Sequence, residues 1–239
     1  MTTPISEKMN VKSFIAALAL LLAFWAPDPA KGQSSLDEKP DSTPERTLQL
    51  VLVSVPIQNE SNATLRCLSR DSSNAQWRQD LPSIPTKIGR GGLADYGEMS
   101  EWGAKTPRGE FDLGFLCGVE SEPPEGVALA YRQTTVSDFW IDEADAPNYN
   151  QWVSGSEPKE SHERLILGDY RYDLVVPINY NVNPTTPRKG SAIFFHLWKD
   201  ESTATGGCVA ISRDNMLAVL RWLDPKKSPR MRIDLESAR

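Results

Sequence analysis

Two residues near the end of the chain have side chains that can act together as a nucleophile and a base. His196 lies near the end of an apolar, aromatic run, and Cys208 follows two glycines at the start of the next apolar run. If these runs are strands that pair antiparallel, the end of one faces the start of the next. We therefore expect the imidazole of His196 beside the thiol of Cys208, which is the minimal equipment for a cysteine nucleophile.

His196 is the base that the sequence offers to Cys208. The chain has two histidines, and the other, His162, lies in a polar segment. The group that orients the imidazole of His196 stays open between Asp200 and a backbone carbonyl. Two histidines and one available thiol do not make a zinc site, so we predict neither a metal nor a cofactor.

The glycine turn before the cysteine has a predicted role in catalysis. Gly206 and Gly207 have no Cβ atom, so a substrate carbonyl can approach the backbone. The N–H groups of Gly207 and Cys208 are predicted to bind the oxyanion of the tetrahedral intermediate. Thr205 is predicted to hydrogen-bond this turn or the leaving group. Taken alone, the same residues also fit a β-hairpin with a tight turn, a core cysteine and a hydrogen-bonded histidine.

Three cysteines leave one unpaired if a disulfide forms. We expect a disulfide between Cys67 and Cys117, with Cys208 free, because Cys208 alone sits in a glycine-flanked turn that faces a candidate base. The alternative is a disulfide that includes Cys208, or a buried and unreactive Cys208 thiol.

The N-terminal segment has the pattern of a secretory signal peptide. Lys8 and Lys12 precede the apolar run Phe14–Ala26, which is too short for a membrane span and is followed by small residues. We predict a signal peptide over residues 1–32 and a polar, flexible linker over residues 33–47. The protein is then exported to the periplasm, the cell wall or the medium and is not an integral membrane protein after cleavage. An uncleaved N-terminal anchor is the alternative.

Composition and periodicity predict a mainly β domain over residues 48–236. The net charge of −6 without a basic run makes a nucleic-acid partner a poor candidate. We count eight to ten short strands and predict a β-sandwich of mixed sheets. The one clear helix follows the cysteine: Ser212 caps it, Pro225 stops it, and an apolar stripe lies between them.

Several separate motifs resemble one known family in the order expected for it. The histidine followed by Thr205-Gly206-Gly207-Cys208-Val209 resembles the signature of the L,D-transpeptidase (YkuD-type) catalytic domain. Thr106-Pro107-Arg108-Gly109-Glu110-Phe111 resembles a turn of the same family. Further similar segments are Gly89-Arg90-Gly91-Gly92-Leu93, Trp140-Ile141-Asp142, Tyr149-Asn150 and Trp222-Leu223-Asp224-Pro225.

The resemblance implies a β-rich domain that acts through a catalytic cysteine on peptidoglycan stem peptides outside the cytoplasm. With it, the substrate-binding residues are predicted to be Thr205, Gly206, Trp198 and Tyr149. Tyr149 belongs to a segment of acids and aromatics that either lines a cleft or is a loop held by buried rings.

The chain departs from the family pattern at two positions beside the nucleophile. Family members commonly carry His where this chain has Gly206, and Arg or Asn where it has Ala210. Two alternatives to transpeptidation therefore stay open. One is a peptide hydrolase with the same two residues, an L,D-carboxypeptidase or an amidase. The other is a cell-wall-binding domain without activity.

Overall fold

The computed structural model describes residues 46–236, which form many short strands and one α-helix. The strands of this part of the chain are β1 (Gln49–Val55), β2 (Asn62–Ser69), β3 (Arg78–Gln79), β4 (Ile84–Lys87), β5 (Gly109–Asp112), β6 (Leu116–Gly118), β7 (Tyr131–Gln133), β8 (Asp138–Ile141), β9 (Trp152–Ser154), β10 (His162–Arg164), β11 (Leu174–Pro177), β12 (Phe194–Leu197), β13 (Val209–Ile211) and β14 (Arg230–Leu235). The helix α1 is Arg213–Trp222, and the 3₁₀ turns are Tyr170–Tyr172 and Pro225–Lys227.

These strands form one large mixed sheet and one small antiparallel sheet. The large sheet has the order β5-β14-β1-β2-β4-β13-β12-β11-β6-β7, and β3 pairs with β2 beside this path. The pairs β1–β14, β12–β13 and β6–β7 are parallel. The small sheet has the order β10-β8-β9. The predicted fold class, mainly β with mixed sheets and one main helix after Cys208, is confirmed.

β12, which carries His196, and β13, which begins one residue after Cys208, pair parallel, so the predicted antiparallel pairing is wrong. The register places Phe195 opposite Val209 and His196 opposite Ala210. β12 is antiparallel to β11 on its other side, and β13 is antiparallel to β4. Because β12 and β13 run in the same direction, the connection between them passes from the end of β12 back to the level of its start. Cys208, one residue before β13, therefore lies level with Phe194.

The helix forms where the sequence predicts it. The side chain of Ser212 accepts a hydrogen bond from the Asn215 N–H at 3.4 Å and caps the first turn. Met216, Val219 and Leu220 form its buried stripe and pack into the main hydrophobic core. The helix follows β13 directly, so its packing holds the strand that begins next to Cys208.

The two faces of β12 contact different hydrophobic clusters. Phe195 and Leu197 point into the main core. Phe194 belongs to a second cluster with Cys208, and its ring meets the Trp140 ring of the small sheet edge-on, with 5.1 Å between centroids. Phe194 and His196, two residues apart in β12, therefore lie on the same face of the strand, and Cys208 packs against this face.

The predicted disulfide between Cys67 and Cys117 is absent, and both are free, buried thiols. Cys67 lies in β2 and Cys117 in β6, and four strands separate these two in the order of the sheet. The two sulfurs also belong to different hydrophobic clusters. Sheet topology thus keeps them apart, because a disulfide needs Cα atoms within about 7 Å.

The predicted signal peptide, residues 1–32, and nearly all of the predicted linker, residues 33–47, lie outside the described residues. Thr47, the last linker residue, is already buried, and its carbonyl accepts a hydrogen bond from Arg70 at 2.8 Å. Between residues 46 and 236, no helix combines the length and apolar character needed to cross a bilayer.

Candidate active site

A cavity of about 730 Å³ brings most of the predicted site residues together. It lies between the β12–β13 region, the small sheet and the segment that precedes β5. The predicted residues in its wall are His196, Trp198, Thr205, Gly206, Gly207 and Cys208. The proposed nucleophile, its base and the glycine turn therefore face one space, as the sequence predicts.

The thiol of Cys208 is buried and held by backbone groups. Only 7% of the residue is exposed, its Sγ donates to the Ala192 carbonyl at 3.4 Å, and it accepts from the Phe194 N–H at 3.4 Å. Burial raises the pKa of this thiol well above its usual range, and the charge of Glu163 raises it further. Cys208 is therefore a protonated thiol at neutral pH before substrate binds.

The imidazole of His196 is also buried and uncharged. Its Nδ1 lies 2.8 Å from the Leu197 carbonyl. Because a carbonyl only accepts, Nδ1 carries the proton and Nε2 keeps the lone pair that a base needs. Burial lowers the pKa of His196 to about 4, although the carbonyls of Leu197 and Arg171 favour the protonated ring.

The group that orients this imidazole is a backbone carbonyl rather than Asp200. Asp200 instead accepts hydrogen bonds from Ser202 and Thr203 within an exposed loop. Among the residues that the structure describes, His196 and Cys208 share the cavity without a hydrogen bond between their side chains.

Thr205 holds the turn in front of Cys208. Its Oγ1 donates to the Cys208 carbonyl at 2.7 Å and accepts from the Gly207 N–H at 3.1 Å. The predicted turn role of Thr205 is observed. The predicted oxyanion role of Gly207 is not, because its N–H is already bound to Thr205. Of the two predicted oxyanion donors, this leaves the Cys208 N–H.

Thr106, the first residue of the Thr-Pro-x-Gly-x-Phe motif, connects three of the recognised motifs. Its fully buried Oγ1 accepts from the Gly89 N–H at 2.8 Å and donates to the Gly207 carbonyl at 2.8 Å. A Cβ at Gly89 would lie 2.3 Å from the Ala104 carbonyl oxygen, so glycine is required there. The glycine cluster therefore helps to position the turn before Cys208.

Tyr149 does not line the cavity. The residue is 3% exposed, and its hydroxyl donates to the carboxylate of Glu101, which does line the cavity. Burial raises the pKa of the Tyr149 phenol well above its usual range. The predicted substrate contact is thus corrected to a supporting position behind the wall, because this loop is held by buried rings.

The neighbouring Asn150 links the small sheet to the backbone beside Cys208. Its Oδ1 accepts from the Trp140 indole at 2.8 Å and from the Ala192 N–H at 3.1 Å. Its Nδ2 donates to the carbonyls of Tyr180 and Asn181 at 3.0 and 2.8 Å. The carbonyl of Ala192 accepts a hydrogen bond from the Cys208 thiol. Asn150 therefore fixes the backbone segment that binds the sulfur of Cys208.

Sequence reasoning missed most of the opposite wall of the cavity, although Asp142 belongs to the segment of acids and aromatics that is expected either to line a cleft or to be a loop held by buried rings. Asp142, Glu163, Arg171 and Tyr172 line it. Glu163 ends a segment that appears merely polar in the sequence, and Tyr172 appears as the first residue of a strand. No local signal distinguishes them, because their role arises from the pairing of β10 with β8 and from the 3₁₀ turn before β11.

In the described part of the chain, no three His, Cys, Asp or Glu side chains are grouped in a way that holds a metal ion. The cavity wall instead offers a thiol, an imidazole, a phenol and carboxylates. These groups are suited to nucleophilic attack and proton transfer on a carbonyl substrate.

Comparisons with known proteins place this site in a family. No curated protein sequence matches the chain. Among solved structures, L,D-transpeptidase 1 of Mycobacterium tuberculosis is similar with a TM-score of 0.31 and 10% identity, over 78% of this chain and 62% of that one, so the chain spans less than two thirds of that structure. The family model of the YkuD L,D-transpeptidase catalytic domain matches residues 70–233, which is more than half of the chain. The chain therefore belongs to the L,D-transpeptidase catalytic domain family.

Proposed function

We propose that the chain is an exported cysteine acyltransferase that acts on peptidoglycan stem peptides through a Cys208 thioester, with transpeptidation as its reaction. The observation that carries this proposal is the Cys208 thiol in the wall of a cavity that also holds the His196 imidazole. The family of the chain supports the peptidoglycan substrate. The signal-peptide pattern of residues 1–32 supports export, because this substrate lies outside the cytoplasm.

The reaction follows from the groups in the cavity. The thiol proton passes to Nε2 of His196, and Sγ attacks the amide carbonyl after the L-centre of the diamino acid in a donor tetrapeptide. The C–N bond breaks, D-alanine leaves with the proton from His196, and a thioester remains. An amine of a second stem then attacks the thioester, which forms the cross-link and returns the thiol.

Both reacting side chains begin uncharged. Burial disfavours both the thiolate of Cys208 and the imidazolium of His196, so the two side chains do not form an ion pair in the free protein. The carbonyls of Leu197 and Arg171 stabilise the imidazolium once it forms. The Cys208 N–H is the backbone group that donates a hydrogen bond to the developing oxyanion.

One observation favours hydrolysis as a second candidate reaction. Gly206 lines the cavity, and a Cβ placed there would have no heavy atom within 4 Å. This open space, where relatives commonly carry His, admits water to the thioester. Ala210 is fully buried in β13 and offers no polar group in place of the usual Arg or Asn. An L,D-carboxypeptidase or amidase reaction through the same thioester is the alternative.

Mass spectrometry of the intact protein after incubation with a tetrapeptide donor tests the proposal. We expect an adduct on Cys208 equal to the donor minus D-alanine. The Cys208→Ala variant should give no adduct, whereas Cys117→Ala, which removes another buried thiol, should still give one. An unmodified wild-type protein, or an adduct that persists in Cys208→Ala, would overturn the proposal in favour of a binding domain without activity.

Analysis of the released muropeptides separates the two reactions. A new cross-linked dimer in the presence of an acceptor stem shows transpeptidation. Trimmed monomers alone, with the same Cys208 adduct as an intermediate, show that water resolves the thioester.

A further inference from the structure

The cavity wall opposite the nucleophile contains a carboxyl group that the reaction above does not use. Glu163 lies in β10 and stands opposite Trp140 of β8 in the small sheet. Its side chain lines the cavity, and the Tyr172 hydroxyl donates a hydrogen bond to it. A carboxyl group placed beside a nucleophile affects whether that nucleophile can become negative.

Tyr172 connects this carboxyl group to the strand of the base. Tyr172 is 5% exposed, and its ring lies 5.1 Å from the His196 ring and 5.8 Å from the Phe194 ring, edge-on in both cases. The backbone N–H of Phe194 donates to the Cys208 sulfur. The half-buried Glu163 is therefore hydrogen-bonded to the packed cluster that includes Cys208.

The groups around Glu163 shift its pKa in opposite directions. Burial raises the pKa of Glu163 to about 7, the Tyr172 hydroxyl lowers it, Asp142 raises it and Arg171 lowers it. Arg171 itself forms an ion pair with Asp169 at 2.9 Å. The neighbouring His162 lies 3.5 Å from Glu157.

We propose that Glu163 is a further positioning residue of this site, which acts through the nucleophile: its carboxyl group, held by Tyr172, controls whether Cys208 can carry a negative charge. With Glu163 ionised, a thiolate on Cys208 would be a second anion in the same low-polarity wall. With Glu163 protonated, that repulsion disappears and the thiol ionises more readily. The inference rests on the proposed function, in which the Cys208 thiolate is the attacking group.

Alkylation of Cys208 by iodoacetamide measures this effect without any peptide substrate. Site-resolved mass spectrometry gives the rate for Cys208, while Cys67 and Cys117 serve as internal reporters because both are buried in the folded protein. A protein that fails to process peptidoglycan but shows the predicted alkylation profile would contradict the proposed function and leave the role of Glu163 intact.

The test compares wild type with Glu163→Gln, which keeps an acceptor for the Tyr172 hydroxyl and removes the charge. We expect equal alkylation rates near about pH 5.5, where Glu163 is protonated, and a variant about threefold or more faster near about pH 8.5. Glu160→Gln, the same change at an exposed position three residues earlier, should match wild type at both values. A purely structural role would give the same rate ratio at both values, and that result would overturn the proposal.

Tyr172→Phe provides an independent second variant. It keeps the ring packing but removes the hydroxyl that lowers the pKa of Glu163, so the carboxyl group stays protonated to a higher pH. We expect the pH at which Glu163 begins to slow alkylation to move upward. If Glu163→Gln unfolds, as labelling of Cys67 and Cys117 would reveal, Tyr172→Phe decides, and an unchanged profile overturns the proposal.

Discussion

Gly206 and Gly207 precede the nucleophile, but only one of them needs to be glycine. Gly207 has a φ of +150°, and a Cβ there would lie 2.9 Å from the Lys105 carbonyl oxygen. Gly206 has open space around its missing Cβ. The first glycine therefore affects what enters the cavity, whereas the second lets the turn close against the segment before β5.

Gly207→Ala should destabilise the fold, and Gly206→Ala should not. We expect Gly207→Ala to lower the free energy of unfolding by about 1–3 kcal/mol, because its backbone conformation and its contact with Lys105 both oppose a side chain. Gly206→Ala should change it by less than about 0.5 kcal/mol. Urea denaturation measures both, and equal effects would contradict the assignment.

The residues of the candidate site differ in whether the nearby sequence indicates their role. Cys208 and His196 could be predicted because thiol and imidazole are rare here and lie near each other in sequence. Glu163 and Tyr172 could not, because a glutamate in a polar segment and a tyrosine before a strand are unremarkable until β10 and β11 are placed around one cavity.

At the scale of elements, the small sheet positions the nucleophile from outside the large one. Asn150 lies between β8 and β9, and both the oxygen and the nitrogen of its side-chain amide form hydrogen bonds. Its backbone has a φ of +59°, which asparagine tolerates better than most residues. One side chain thus links Trp140 of β8 to Ala192, the residue that accepts from the Cys208 thiol.

Asn150→Ala should lower the free energy of unfolding by about 2–4 kcal/mol, because it leaves buried hydrogen-bonding groups without partners. Asn150→Gly loses the same hydrogen bonds but tolerates the left-handed backbone, so it should be less destabilising by about 1 kcal/mol. Asn59→Ala, at an exposed position, is the matched control and should have little effect. Urea denaturation checks the order of the three, and equal stability of Asn150→Ala and Asn59→Ala would refute it.

Strand direction was the element-level feature that the sequence could not decide. The polar loop between His196 and Cys208 is short enough for a hairpin, and apolar runs do not encode direction. Direction follows from the neighbours β11 and β4, which pair with β12 and β13 on their outer sides. The helix after Cys208 was predictable because Ser212, the apolar stripe and Pro225 are all local signals.

At the scale of the whole molecule, two buried groups respond to pH in opposite directions. The pKa of His196 falls to about 4 on folding, so the stability it contributes is present above about pH 6.5 and is lost as the pH falls toward 4. The pKa of Glu163 rises to about 7, so its contribution is present below about pH 4.5 and is lost as the pH rises toward 7. Between these limits the two contributions nearly cancel.

Removing either group should reveal how strongly the other makes the free energy of unfolding depend on pH. From about pH 7 to pH 5, Glu163→Gln should lose about 2 kcal/mol of unfolding free energy relative to wild type, because the loss at His196 is no longer offset. His196→Gln should gain about 2 kcal/mol over the same interval, relative to wild type. Urea denaturation at the two pH values measures both, and parallel pH profiles for the three proteins would show that the groups are not linked to folding.

The place of β14 in the large sheet governs when that sheet can be completed during synthesis. β14 lies between β1, its parallel partner, and β5, its antiparallel partner, and the Leu48 N–H donates to the Lys227 carbonyl at 2.8 Å. A ribosome synthesises β1 and β5 long before β14, so the edges of both strands that pair with β14 are unpaired until then. Such distant pairing makes folding slow. The large sheet that contains β12 and β13 is therefore still incomplete when Cys208 has been synthesised.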